Sequence, residues 1–128
     1  MAQVVVYGLR GHLEEVRAEL SDVIHSCLVD ALELPADKRF QRFLMLEPHT
    51  FIYPNDRTER YTILEISMFE GRSVESKKGL IRLLFERCGA LGIAENDLEI
   101  TIFETPKHNW GIRGVAGDAL DLSYKVEV

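Results

Sequence analysis

The sequence predicts an α+β fold: two tandem βαβ units forming a four-stranded mixed sheet with two helices on one face, plus a C-terminal strand. Three observations carry this. Short β-branched runs alternate with two long stretches whose apolar residues recur at steps of three and four. The order strand, long helix, strand then repeats at an offset of 60, so that Gly11 corresponds to Gly71, Glu15 to Glu75, Leu20 to Leu80 and Ile24 to Leu84. Finally, a βαβ crossover is nearly always right-handed and makes its strands parallel, so two copies put both helices on one face of one sheet.

Gln3 to Tyr7 is a β-branched run that reads as a buried strand, closed by Gly8 and Gly11. Leu13 to Leu32 follows as a helix whose apolar face is Leu13, Val16, Leu20, Val23, Ile24, Cys27, Leu28 and Ala31. His25 borders that face, where a lone histidine reads as a packed or half-exposed side chain. Pro35 and Asp37 break the helix, and Phe40 to Leu46 forms the second strand. Pro48, Pro54, Asn55 and Asp56 mark a loop, with a short extended piece at Thr50 to Tyr53. Tyr61 to Met68 restarts the pattern as a strand, and Ser73 to Leu91 continues it as a helix stopped by Gly92. Leu98 to Phe103 alternates as a further strand, and so do Leu120, Leu122, Tyr124, Val126 and Val128 against polar neighbours.

Composition bounds the function. With 46% hydrophobic and 28% charged residues the chain is globular, and 128 residues suit one domain, 1–128, with a first unit at 1–59 and a second at 60–128. A net charge of −6 without a basic cluster argues against nucleic acid as a partner. No basic start with a long apolar run opens the chain and no apolar run reaches spanning length, so no membrane partner and a cytoplasmic location are expected. Cys27 and Cys88 fall on apolar helix faces without metal-ligand or redox spacing, and read as reduced core thiols. No cofactor and no metal site is expected.

Two stretches are chemically rich. At Gly71-Arg72-Ser73 a strand turns into a helix: glycine permits the tight turn, Ser73 suits a helix N-cap, and Glu75 complements the helix dipole. Arg72 is thereby held where a cation reaches a ligand at the end of a sheet, the alternative being a solvated arginine on an ordinary turn. Glu104 to Gly117, ETPKHNWGIRGVAG, carries the only tryptophan, Trp110, beside His108, Asn109 and Arg113. Such a loop can build one wall of a small-molecule site, or Trp110 can pack at a subunit contact with His108 solvated. The sheet face opposite the helices has no cover within the pattern, and self-association would supply one, with the C-terminal strand finding its edge on a neighbour.

The strand ending in FEGRS, the helix with KK after it and the run ITIFETPKHNWGI make the second half resemble the βαβ unit of the tautomerase superfamily, typified by 4-oxalocrotonate tautomerase. The first half, with LPADKRFQRF after its helix, is similar to the two-unit branch that includes malonate semialdehyde decarboxylase. The resemblance implies a homotrimer of two-unit subunits, sheets facing inward, with a site near each amino terminus. In that family an N-terminal proline acts as base or nucleophile and arginines hold the carboxylate of a 2-oxo acid. Aligning Gly11 with the family glycine puts Ala2 in the proline position, Arg72 matches the EGR arginine in the second unit, His12 stands beside Gly11 in the first, and Lys38 precedes Arg39.

The resemblance therefore implies a small anionic substrate, with Ala2 and Arg72 as catalytic residues and Arg39, His108, Trp110 and Arg113 as substrate-binding residues. Two functions are carried forward. One is tautomerase-like chemistry on a small 2-oxo acid or its enol, with the N-terminal amine as a weak base. The other is a catalytically inactive trimer of the same fold that serves as a small-anion-binding or structural module.

Overall fold

Alternation along the first strand decides which side of the sheet becomes the core. In β1 (Ala2–Leu9), Ala2, Val4 and Val6 are buried on one side while Gln3, Val5 and Tyr7 face the other. The computed structural model describes residues 2–120, 122 and 124–128. It continues with α1 (Arg10–Leu32), β2 (Gln41–Leu46), β3 (Thr62–Phe69), α2 (Val74–Ala90), β4 (Leu98–Thr105) and a small hairpin, β5 (Gly111–Ile112) and β6 (Val115–Ala116). The main sheet has the order β2-β1-β3-β4. β1 runs parallel to β2 and β3 parallel to β4, as two crossover units require. The units join through an antiparallel pairing of β1 with β3, from Ala2 opposite Met68 to Gly8 opposite Thr62.

Both helices lie on one face. Leu13, Leu20, Ile24 and Leu28 of α1 and Leu80, Leu84 and Cys88 of α2 share one apolar cluster with Val4, Val6, Leu64, Ile66 and Met68 of the sheet. α1 starts at Arg10, three residues before the expected Leu13, because nothing in Arg10-Gly11-His12 forbids helical backbone. It ends at Glu33, whose φ of 56° is left-handed. α2 starts where its sequence says it should: the Ser73 hydroxyl accepts from the Ser76 amide, and Glu75 stands in the first turn. Cys27 and Cys88 are free and buried, and burial pushes the Cys88 thiol up to about 12, so it stays protonated at neutral pH. His25 is buried too, its Nε2 2.7 Å from the Ala36 carbonyl.

Two expected extended pieces differ. Thr50 to Tyr53 is not a strand; Phe51 and Tyr53 pack their rings against Tyr61 instead, at centroid distances of 5.6 and 5.4 Å, so side-chain packing rather than a ladder holds the loop. In the C-terminal strand expected over 120–128, Asp121 and Ser123 lie outside the described residues, and the others form no strand. The tail is fastened at two points instead, by Val126 packing on Phe69 and by the Ser73 amide donating to the Val128 carbonyl at 2.9 Å. β3, beside which these two anchor points lie, offers it no edge, since it is flanked by β1 and β4.

The second sheet face is partly apolar. Phe40, Leu44 and Phe103 stand exposed on it, alternating with Phe43, Met45 and Ile102, which pack towards the helices. Among the described residues no helix is long and apolar enough to cross a membrane.

Replacing Ser73 by alanine removes the α2 cap and should lower the unfolding free energy by about 1 kcal/mol. Leu64→Ala, at a fully buried position, should cost about 2–5 kcal/mol. Urea denaturation checks both, with the midpoint falling in that order.

Candidate active site

The antiparallel pairing of β1 and β3 brings distant pieces of sequence to one end of the sheet. Ala2 lies opposite Met68, one residue before β3 ends, so the beginning of β1 runs beside the strand end that leads into the Gly71-Arg72-Ser73 corner. The parallel pairing with β2 brings Arg39 and Gln41 to the other flank of β1, where the Val4 amide donates to the Phe40 carbonyl at 3.0 Å. The end of β4 is joined on through the Glu70 amide, which donates to the Thr105 carbonyl at 3.0 Å, and β4 leads directly into the loop of His108, Trp110 and Arg113.

Arg72 is not a solvated arginine. It is only 5% exposed, and its Nη1 donates to the Phe69 carbonyl at 3.1 Å, while Nε and Nη2 are buried with no hydrogen-bond partner among the described residues. Burial lowers its pKa from the ordinary value, against the opposing pull of the Glu104 and Glu127 carboxylates. A guanidinium stays protonated in proteins, so burial leaves a cation with two donors unsatisfied, and an anionic oxygen is the group that would satisfy them. The tail forms its cover. Gly71, at φ 125°, turns beneath it, and a Cβ there would stand 3.2 Å from Val126 Cγ1 and 3.5 Å from the Glu127 carboxylate.

Phe69 anchors the adjoining loop. Fully buried, it meets Trp110 edge to face at a centroid distance of 5.0 Å. His108 is the middle residue of one turn of 3₁₀ helix (Lys107–Asn109), and Arg113, at φ 54°, sits at the tip of the β5–β6 hairpin. His108, Trp110 and Arg113 line an open cavity of about 510 Å³. Lys77 of α2 reaches the end of β4 and pairs with Glu104 at 2.7 Å.

Arg39 faces a different hollow, of about 300 Å³, together with Gln3 and Gln41. Its guanidinium is paired at 2.6 Å with Asp22 of α1, and donates to the Ser21 hydroxyl at 3.2 Å. Ala2 and Arg72 thus stand at the sheet end from which the 108–113 loop leaves, but neither lines that loop's cavity, and Arg39 lies on the flank of β1, paired with a carboxylate of its own chain. One participant was not singled out from sequence, the Glu127 carboxylate, whose place depends on how the tail folds back; Phe69 was marked only as part of the strand ending in FEGRS, and Gly117 only as a glycine of the hairpin-like loop.

Comparison with known proteins bears on this arrangement. The family described as "Tautomerase enzyme" matches residues 38–113. The probable tautomerase YusQ of Bacillus subtilis (strain 168) is 26% identical over 110 residues, covering 77% of this chain and 87% of that protein. The 2-hydroxymuconate tautomerase of Comamonas testosteroni is 42% identical over 60 residues, 44% of this chain and 90% of that protein, a length equal to the repeat offset of the sequence. Among solved structures, a fused 4-OT that forms an asymmetric trimer superposes with a TM-score of 0.79 at 25% identity, covering 91% of this chain and 97% of that one.

A Cβ at Gly117 would stand 2.6 Å from the Lys107 carbonyl and 3.1 Å from the Phe69 ring. Gly117→Ala should therefore push the hairpin off Phe69, destabilise the protein by about 1–3 kcal/mol, and move the emission of the single tryptophan to the red. Denaturant titration followed by fluorescence reads both effects.

Proposed function

The chain belongs to the tautomerase family, and on that premise we propose that it interconverts the enol and keto forms of a small 2-oxo acid. One observation carries this beyond the family: the buried Arg72 guanidinium, with two donors unpaired, adjoins the strand position opposite Ala2. In this reading the amine of Ala2, freed by removal of Met1, takes the proton from the enol oxygen and returns it to the adjacent carbon. The O–H bond breaks, a C–H bond forms, and the double bond moves from carbon–carbon to carbon–oxygen. Arg72 holds the substrate carboxylate, and His108, Trp110 and Arg113 close the pocket on its apolar side.

Arg39 stabilises the enolate oxygen. Its pair with Asp22 is solvent-exposed, and such pairs contribute at most about 1 kcal/mol, so a bound anion can draw the guanidinium away. An α-amine has a reference pKa of about 8, which leaves part of it unprotonated at neutral pH. It is primary and more mobile than a proline nitrogen, so the expected rate is low. That same substitution favours a second reading, a tautomerase-fold module that binds small anions without turning them over. Under either reading a homotrimer covers the outer sheet face on which Phe40, Leu44 and Phe103 are exposed.

Arg72→Ala should weaken binding of a small 2-oxo acid by about tenfold or more, the loss of a charge-assisted bond of roughly 1.5–3 kcal/mol. Calorimetric titration measures it, and unchanged affinity removes Arg72 from the site. Ala2→Pro, with Met1 shown by mass spectrometry to be absent, should raise the rate of phenylenolpyruvate ketonisation. If neither protein turns over an enol while both bind anions, the module reading holds. Light scattering of the purified chain should give about three copies per particle, as the cover of the outer face requires.

A further inference from the structure

The repeat that builds the candidate active site also builds its counterpart at the opposite end of the sheet. Under the offset of 60, Thr62 takes the place of Ala2 and His12 the place of Arg72. Because β1 and β3 are antiparallel, with Val5 opposite Glu65 at the centre of the pairing, these two residues meet beyond the other end of β1. There Leu9, Arg10, His12, Glu15, Glu59 and Arg60 line a cavity of about 340 Å³. It lies at the far end of the sheet from the Arg72 corner, and the function proposed above does not use it.

Its chemistry differs from that of the Arg72 end. His12 is 93% buried, and its Nε2 lies 3.0 Å from the Thr62 hydroxyl. That hydroxyl donates its one hydrogen to the Arg60 carbonyl at 2.8 Å, so it accepts from His12, and Nε2 must carry the proton. The lone pair of the neutral ring is thereby fixed on Nδ1, which has no hydrogen-bond partner among the described residues. Burial, and after it the nearby Arg60, hold the imidazole below its ordinary pKa against the pull of Glu15, Asp97 and Glu59. The ring thus stays neutral at pH 7 and Nδ1 remains an acceptor.

The donors stand beside it. α1 is 23 residues long, yet its N-cap is Leu9, which offers no capping oxygen, and its first turn holds no acidic residue. α2 is capped and has Glu75 in its first turn, so the contrast is between two copies of one unit. The free amides at the start of α1, at the positive end of its dipole, line the same cavity as Arg60. Arg10 is already committed to Glu47 at 2.7 Å.

We propose that this cavity is a second ligand site, for a small 2-hydroxy monocarboxylate, with the hydroxyl donating to Nδ1 of His12 and the carboxylate received by the α1 amides and Arg60. Glu15 and Glu59 in the wall select against a second carboxylate on the ligand.

Imidazole nitrogen NMR of the full chain, titrated with lactate and with propionate at equal ionic strength, tests this. Lactate should shift His12 Nδ1 and the Gly11 and His12 amides saturably, and propionate, which lacks the hydroxyl, should bind at least about tenfold more weakly. His12→Gln can still donate to Thr62 but loses the ring acceptor, and should weaken lactate comparably. Arg60→Ala, at an exposed position, should weaken both acids as read at His12, and Arg72→Ala should leave the His12 response to both unchanged. Equal responses to the two acids, shifts that grow without saturating, or shifts confined to the Arg72 end would each overturn the proposal.

Discussion

The antiparallel pairing of β1 with β3 is the constraint on which the rest of this structure depends. Each βαβ unit alone has two strands and one helix, too little to bury an apolar face. Pairing the units strand to strand makes one sheet of four and sets the two helices side by side over it, so that Leu20, Ile24, Leu80 and Leu84 share one core. Register is held by burial. A slip of one residue would turn Val4, Val6, Leu64 and Ile66 out to the far face. At the end of β1 the fit is tight, since a Cβ on Gly8 would stand 2.9 Å from Leu13 Cγ.

The same pairing creates two ends related by the repeat, and the sequence has made them chemically different. At one end a buried guanidinium keeps two donors without partners. At the other, a buried imidazole keeps an acceptor, and the helix beginning there is uncapped. The guanidinium leaves hydrogen-bonding capacity unspent in a low-dielectric setting, where an unsatisfied polar group is costly. Neither group is needed to hold the core together, which is formed by aliphatic side chains of the sheet and helices. Local features that weaken a fold without serving its packing are the expected mark of a site.

Around the Arg72 end the cover is supplied by segments with little regular structure. Phe69 sits on the sheet face away from the helices, yet Trp110 and Val126 close over it and bury it completely. Glu127 brings a carboxylate near Arg72 without forming an ion pair with it, so the charge is offset at a distance while the donors stay free. Strand and helix thus fix the backbone positions of the site, and the hairpin and tail fix its dielectric surroundings.

Much of this was legible in the residues. Apolar spacing located both helices and four strands, Ser73 marked the start of α2, and the internal repeat with crossover handedness implied the mixed sheet; these follow from preferences that act within a few residues. The extended piece at Thr50 to Tyr53 pairs in no ladder and the C-terminal strand was not found among the described residues, because alternation shows which side chains share a face but not whether a partner edge is available. The sequence likewise marked Arg72 by its corner, and could not tell a solvated cation from a buried one. Burial of Arg72 requires a tail more than fifty residues away to fold over it, and the tautomer of His12 requires a hydroxyl fifty residues away to be already engaged. Local periodicity determined the elements and their order. Only the tertiary structure decided the state of Arg72 and of His12, because each is set by contacts between segments whose separation in sequence leaves no periodic trace.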